Sequence, residues 1–306
     1  MGTVKNSLKK VLPPPVSAFN REVERILAAQ EGNAQLIQQL RHGVESLTRQ
    51  LEDTQKMVNV LTKVVQENQA AKLEHVRRQS ADASRNAAEG TWANVFHDTI
   101  RESKWLTDAT FSPGRWAVGY PYLYAMYRVL NEFQPKRILE LGLGQSTRMI
   151  AQYAAAHEGV EHLVVEHDPA WIQFFSQAFS LPASTQIVQL EREMVPYQEA
   201  QQVRVFQGFQ QALAGKQFDF ISIDAPLGGD MKEYARIDVL RMMPGCLSRD
   251  FVVMVDDAER PGERHTVAAM EKCLQEHDIA YQRGGYNGKK DTVLLCSQSV
   301  GFLSSM

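Results

Sequence analysis

Between Val16 and Asn68 apolar residues recur at alternating spacings of three and four. With Val16 as heptad position a, the a series is Val16, Val23, Gln30, Ile37, Val44, Leu51, Val58 and Val65. The d series is Phe19, Ile26, Asn33, Leu40, Leu47, Thr54, Leu61 and Asn68. Such a narrow stripe predicts a helix on the order of 80 Å long at ~1.5 Å per residue. The helix cannot bury that stripe on its own chain, so the pattern predicts a coiled coil. β-branched a residues with Leu at several d positions favour a parallel homodimer, with a trimer open; Gln30, Asn33 and Asn68 in the seam would fix register. The competing reading is one long helix folded back on the rest of the chain.

Around this stalk the expected organisation is a flexible tail over 1–15, the oligomerisation helix over 16–80, a connector or lid over 81–120 and a catalytic domain over 121–306. Pro13-Pro14-Pro15 reads as a stiff spacer. From Arg77 to Gly90 the heptads lapse, which suggests a hinge or a frayed end. Trp92, Phe96, Trp105, Phe111, Trp116 and Tyr120 surround Ser112-Pro113-Gly114 and read as packing or lid aromatics.

The second half alternates strands and helices. Strands are expected at 138–141, 162–165, 185–190, 218–223 and 251–255, with a closing hairpin of 279–283 and 292–297 joined by Gly284–Gly288. Helices are expected at 121–131, 146–156, 169–179 and 263–277. The glutamine-rich stretch 198–211 resists assignment. This alternation predicts an α/β fold, a Rossmann-like, mostly parallel, doubly wound sheet with an antiparallel edge hairpin, preceded by the helical coiled coil. Ligands of such sheets bind beyond the carboxyl ends of the strands. Glu140, Glu166, Asp224 and Asp256 all fall at such ends. Gly142 and Gly144 follow the first strand and open a helix, a place where free backbone N–H groups meet a negatively charged ligand group. An acid closing the second strand, Glu166, suits ribose hydroxyls, so a nucleoside is the expected ligand.

Four segments carry a resemblance: Glu-Leu-Gly-Leu-Gly-Gln-Ser at 140–146, Val-Val-Glu-His-Asp at 164–168, Phe-Asp-Phe-Ile-Ser-Ile-Asp-Ala-Pro at 218–226 and Val-Val-Met-Val-Asp-Asp at 252–257. In order and spacing the chain resembles class I S-adenosylmethionine-dependent methyltransferases over roughly residues 116–297. The resemblance implies an O-methyltransferase. Glu140, Gly142, Gly144, Ser146, Thr147, Glu166 and Asp224 would then hold the cofactor, S-adenosylmethionine. Asp224, Asp256 and Asp257 resemble the metal site of catechol- and macrocin-type enzymes, which implies Mg²⁺ orienting an acceptor hydroxyl; the structural alternative is ordinary strand-end and capping carboxylates. Asp224, Asp256 and His265 are the catalytic candidates, His265 as general base or else as a surface histidine. Arg260 and Arg264 could meet an acidic acceptor, or pair with Glu259 or Glu263. Tyr286, Asn287 and Lys289 could border the acceptor.

Charge narrows the partners. Residues 1–80 hold 12 Lys/Arg against 8 Asp/Glu, leaving 21 against 28 for the remainder. An acidic catalytic half argues against nucleic acid. The acceptor expected from the resemblance and the coiled coil is a sugar or polysaccharide hydroxyl, with the stalk able to dock on a glycan-assembly protein. A small phenolic or macrolide-type acceptor is the first alternative. A non-catalytic scaffold is the second, compatible with the missing third glycine of the dinucleotide fingerprint. Three cysteines, an odd number without metal-type spacing, read as buried thiols of a cytosolic protein. The N-terminal residues read as too polar for a secretory signal peptide, and Lys5, Lys9 and Lys10 could touch the inner face of a membrane.

Overall fold

The computed structural model describes residues 16–114 and 117–305. The tail over 1–15, its lysines and Trp116 lie outside them. The chain divides into two units, Met1–Arg77 and Arg78–Met306. Helix α1, Val16–Ile100, is 85 residues long. Its a and d residues are exposed in the single chain, Leu51 at 70% and Leu47 at 66%. No helix among the described residues is long and apolar enough to cross a membrane.

The lapse of the heptads at 77–90, read as a hinge or a frayed end, does not end the helix: these residues are helical. Ala81, Ala83, Ala87 and Ala88 are strong helix formers, and tertiary contacts hold the last turns. Arg85 pairs with Asp291 at 3.1 Å. Glu89 accepts the N–H groups of Tyr120 at 2.7 Å and Lys289 at 2.9 Å. Trp92 Nε1 donates to the Asn287 carbonyl at 2.9 Å.

After α2 (Tyr120–Arg128), which ends in a π-turn over Val129–Phe133, the order is β1 (Arg137–Leu141), α3 (Gln145–Ala156), β2 (Glu161–Glu166), α4 (Pro169–Ala178) and β3 (Thr185–Gln189). Next come β4 (Arg192–Tyr197), β5 (Ala200–Phe206), the short α5 (Phe209–Ala212), β6 (Phe218–Ile223), β7 (Leu247–Val255), α6 (Pro261–Glu276), β8 (Tyr281–Asn287), β9 (Asp291–Ser297) and a 3₁₀ segment, Gln298–Ser304. The main sheet has the order β3-β2-β1-β6-β7-β9-β8. All its pairings are parallel except those of β9 with β7 and β8. This is the doubly wound sheet with an antiparallel edge hairpin.

Strand alternation feeds two cores. Ile138, Phe220, Val252 and Met254 face α2, α3 and the end of α1. Leu139, Ile221, Val253 and Val255 face α6 and β5. The unassigned glutamine-rich stretch forms β5, which pairs antiparallel with β4 in a separate two-stranded sheet. Of the glycines expected to turn the last hairpin, Gly284 and Gly285 lie inside β8, and the turn itself is 288–290, with Gly288 in it. The reason is packing: a Cβ on Gly284 would come within 2.4 Å of the Ser304 carbonyl, so glycine lets the closing segment lie against the strand.

The chain winds from β1 outward to β3, then returns to β6 on the other flank of β1. The crevice therefore opens between the carboxyl ends of β1 and β6. The Asp224 N–H donates to the Leu141 carbonyl at 3.0 Å, and the Gly142 N–H to Val165 at 2.9 Å, so three strand ends are stitched together there.

Candidate functional site

A cavity of about 380 Å³ fills that crevice, within the roughly 300–1,000 Å³ of small-molecule sites. Gly142, Leu143, Gly144, Gln145 and Ser146 form its floor, Glu166, His167, Asp168 and Trp171 one wall, and Asp224 and Ala225 the other. Ser112, Ala117 and Val118 contribute from the connector. Gly142 has φ +105°, and a Cβ there would meet the Ala225 Cβ at 3.1 Å. At Gly144 a Cβ would meet nothing within 4 Å. The first-turn amides of α3, Gln145 and Ser146, lack intrahelical acceptors and border the cavity. A glycine-floored cavity at a helix N-terminus, with an acid on the facing wall, fits a nucleoside derivative that carries a carboxylate or similar anionic group.

The Glu166 carboxylate is fixed by the N–H groups of His167 (2.6 Å), Asp168 (3.0 Å) and Leu143 (3.1 Å). Oε2 takes only one of these, so it keeps acceptor capacity toward the cavity. Glu140 is turned away. It is 1% exposed, and its oxygens are taken by Ser146 Oγ at 2.6 Å and His162 Nε2 at 3.1 Å. Thr147 is buried as well, with its hydroxyl accepting the Gly144 N–H at 2.9 Å. Of the seven expected cofactor residues, Gly142, Gly144, Ser146, Glu166 and Asp224 border the cavity. Glu140 and Thr147 instead shape the turn that lines it.

Asp224, Asp256 and Asp257 converge, with one oxygen of each within 4.8 Å of the others. Asp256 is fully buried and Asp257 nearly so; only Asp224 reaches the cavity. Two residues the sequence did not single out enter this cluster. Arg236, from the loop after β6, places Nη2 2.8 Å from Asp257 and 3.2 Å from Asp224. Lys290, from the β8–β9 turn, places Nζ 3.2 Å from Asp256, 3.5 Å from Asp257 and 3.0 Å from the Ala117 carbonyl. Arg260 adds a contact to Asp257 at 2.8 Å. Glu263 lies behind, 3.7 Å from Arg236.

Burial raises Asp224, against the pull of Arg236. Burial and the neighbouring Asp224 raise Asp256. Burial works to lower Lys290, but Asp256, Asp224 and Asp257 outweigh it and hold the ammonium above the ordinary lysine value. The set is therefore four carboxyls, three of them held above their ordinary values by burial, against three cations.

That balance is a poor fit to a divalent ion. Mg²⁺ wants carboxylates together with several waters. Here the carboxylates already carry their own cations, and Asp256 and Asp257 are sealed from solvent.

His265 stands apart. It is exposed, with Nδ1 2.6 Å from the Glu233 carbonyl, and does not line the cavity. Arg260 meets Asp257 and Glu263 rather than Glu259. Arg264 borders a second, polar cleft of about 510 Å³ with Arg85, Glu259, Arg283, Asn287 and Asp291. Tyr286 is buried, its hydroxyl donating to the Leu303 carbonyl at 2.6 Å. Of the two turn lysines, the sequence pointed to Lys289; Lys290 makes the contact. Nothing in the local pattern separates the two, and Arg236 sits in no motif.

No protein-family model matches the chain, and none of the curated proteins does. Among solved structures, the chain is similar to an O-methyltransferase from Bacillus cereus in complex with SAH. Identity is 13%, with 69% of this chain and 91% of that one covered, at a TM-score of 0.41. It is similar to the O-methyltransferase TomG from Streptomyces achromogenes, involved in tomaymycin synthesis and solved with SAM (15%, 69% and 89% covered, TM-score 0.38). Spermidine synthase from Thermotoga maritima is also similar (15%, 56% and 59% covered, TM-score 0.35).

Proposed function

We propose that the chain is an S-adenosylmethionine-dependent O-methyltransferase acting on a sugar or polysaccharide hydroxyl. The observation that carries this reading is the meeting of Gly142, Gly144, Glu166 and Asp224 around one cavity at the switch point of the sheet. The α3 amides would face the donor's carboxylate and Glu166 its ribose. Bound there, the donor supplies an activated methyl group. In-line transfer needs the acceptor hydroxyl aligned and relieved of its proton. Asp224 is the carboxylate at the cavity edge, and burial makes it a better proton acceptor than an exposed aspartate. Asp256 is sealed behind it and acts on Asp224 rather than on an acceptor.

The sugar acceptor rests on the likeness of the strand-end acids to those of macrocin-type enzymes and on the stalk; the polar cleft of Arg85, Arg264, Arg283, Glu259 and Asn287 shares no lining residue with the donor cavity. The exposed heptad stripe of α1 supports a homo-oligomer, with a parallel dimer favoured, and a stalk for docking on glycan-assembly machinery in the cytoplasm. Calorimetry with S-adenosylhomocysteine tests the donor site, and release of that nucleoside across an acceptor screen tests transfer. Micromolar binding and turnover with glycans are expected. Binding without turnover on any acceptor would favour a scaffold, and no binding would overturn the reading.

A further inference from the structure

We infer that the Asp224–Asp256–Asp257 cluster is a cation site that the chain fills itself, with Lys290 in the position a divalent ion would take. Three observations converge. The Lys290 ammonium lies 3.2 Å from Asp256, 3.5 Å from Asp257 and 3.0 Å from the Ala117 carbonyl, three oxygen contacts. Arg236 closes the opposite side of the cluster, 2.8 Å from Asp257 and 3.2 Å from Asp224. Finally, of the two buried oxygens that accept no hydrogen bond, Asp256 Oδ1 and Asp257 Oδ1, the second already has the ammonium 3.5 Å away, where an ion shared with Asp224 would draw on it.

A tethered ammonium and an ion compete for the same field. An ion entering here must displace a charged lysine into a partly buried space, or share the carboxylates with it. Either route adds a desolvation cost for the displaced or shared charge to that of the ion itself. Lys290 is then a positioning residue: it holds the acids that flank Asp224 and ties the connector at Ala117. That transfer needs no divalent ion rests on the function proposed above; the occupancy of the cluster does not.

The test is titration of the full-length protein with Mn²⁺, by calorimetry and by melting temperature, beside Lys290→Met and Lys290→Arg. The parent and Lys290→Arg should take up no stoichiometric Mn²⁺ at millimolar concentration. Lys290→Met should gain one site, at least roughly tenfold tighter, and should melt higher when Mn²⁺ is added. If Lys290→Met does not fold alone, folding rescued by Mn²⁺ would serve as the same readout. Saturable uptake by the parent that Asp256→Asn abolishes would overturn the inference. So would a folded Lys290→Met that still ignores the metal. Binding of S-adenosylhomocysteine, measured separately, reports on the donor site whichever way the metal result falls.

Discussion

Glu166, at the end of β2, accepts the backbone N–H of Leu143, in the glycine turn after β1, at 3.1 Å. One carboxylate therefore shapes the cavity floor and offers its free lone pair to whatever lies on it. Replacing it by alanine removes both effects. A hydrogen bond to a charged group contributes about 1.5–3 kcal/mol, so Glu166→Ala should weaken S-adenosylhomocysteine binding about 10- to 100-fold by calorimetry. Unchanged affinity would remove the ribose role.

Asp224 separates donor binding from transfer. Asp224→Asn keeps the shape at the cavity edge and removes the proton acceptor. The rate should fall by about 10²–10⁴, the usual range for a general base, with donor affinity changed only a few-fold. A variant with full rate would exclude Asp224 as the base.

Gly142 is held at φ +105° against Ala225. An L side chain there is strained whatever the space, and its Cβ would press on the β6 end. Gly142→Ala should lower the melting temperature and empty the donor site, whereas Gly159→Ala, at φ +69° in open space, should affect stability alone. The two variants compared by thermal shift with and without S-adenosylhomocysteine make the check.

Asp238 gives a pH signature far from the proposed chemistry. It is buried, with Oδ1 accepting the Phe206 N–H at 2.8 Å while Oδ2 has no partner. Burial pushes its pKa up to about 7 from an ordinary 3.8. The folded state thus holds this proton after the unfolded chain has lost it. Its contribution to stability is intact below about pH 4 and declines as pH rises to about 7, by at most roughly 1.4 kcal/mol per pH unit. Asp238→Asn should flatten that part of the melting-temperature profile and stabilise the protein at pH 8. A profile identical to the parent's would contradict the raised value.

Removal of residues 1–77 deletes the helical unit whose apolar stripe is exposed in the single chain. The remaining unit should be monomeric by light scattering and retain S-adenosylhomocysteine binding. Persistence of the oligomer would place the interface elsewhere.

The strands and most of the helices could be read from the chain because β-branched runs, glycine turns and Pro-initiated helices each carry a local cause. The carboxylates at strand ends were legible for the same reason: position along a strand predicts which rim a residue reaches. Which way a side chain turns was not. Glu140 stands level with Val164, two residues short of Glu166 on the neighbouring strand, and His162, buried on that strand, takes one of its oxygens. Arg236 and Lys290 lie 12 and 66 residues from Asp224 in the chain, and only the winding of the sheet brings them to it. The glutamine-rich stretch resisted assignment because the buried residues of β5, Ala200, Val203, Val205 and Phe206, do not alternate strictly along the strand.

The contact from Lys290 to the Ala117 carbonyl carries one more consequence. The residue that stands beside Asp256 and Asp257 also fastens Ala117, on the border of the cavity. Any displacement of Ala117 that drew Lys290 with it would therefore take one cation from the acids at the same moment. Exchange of ligand and readiness for chemistry would then be two faces of one lysine's movement, and a variant that speeds the first should slow the second.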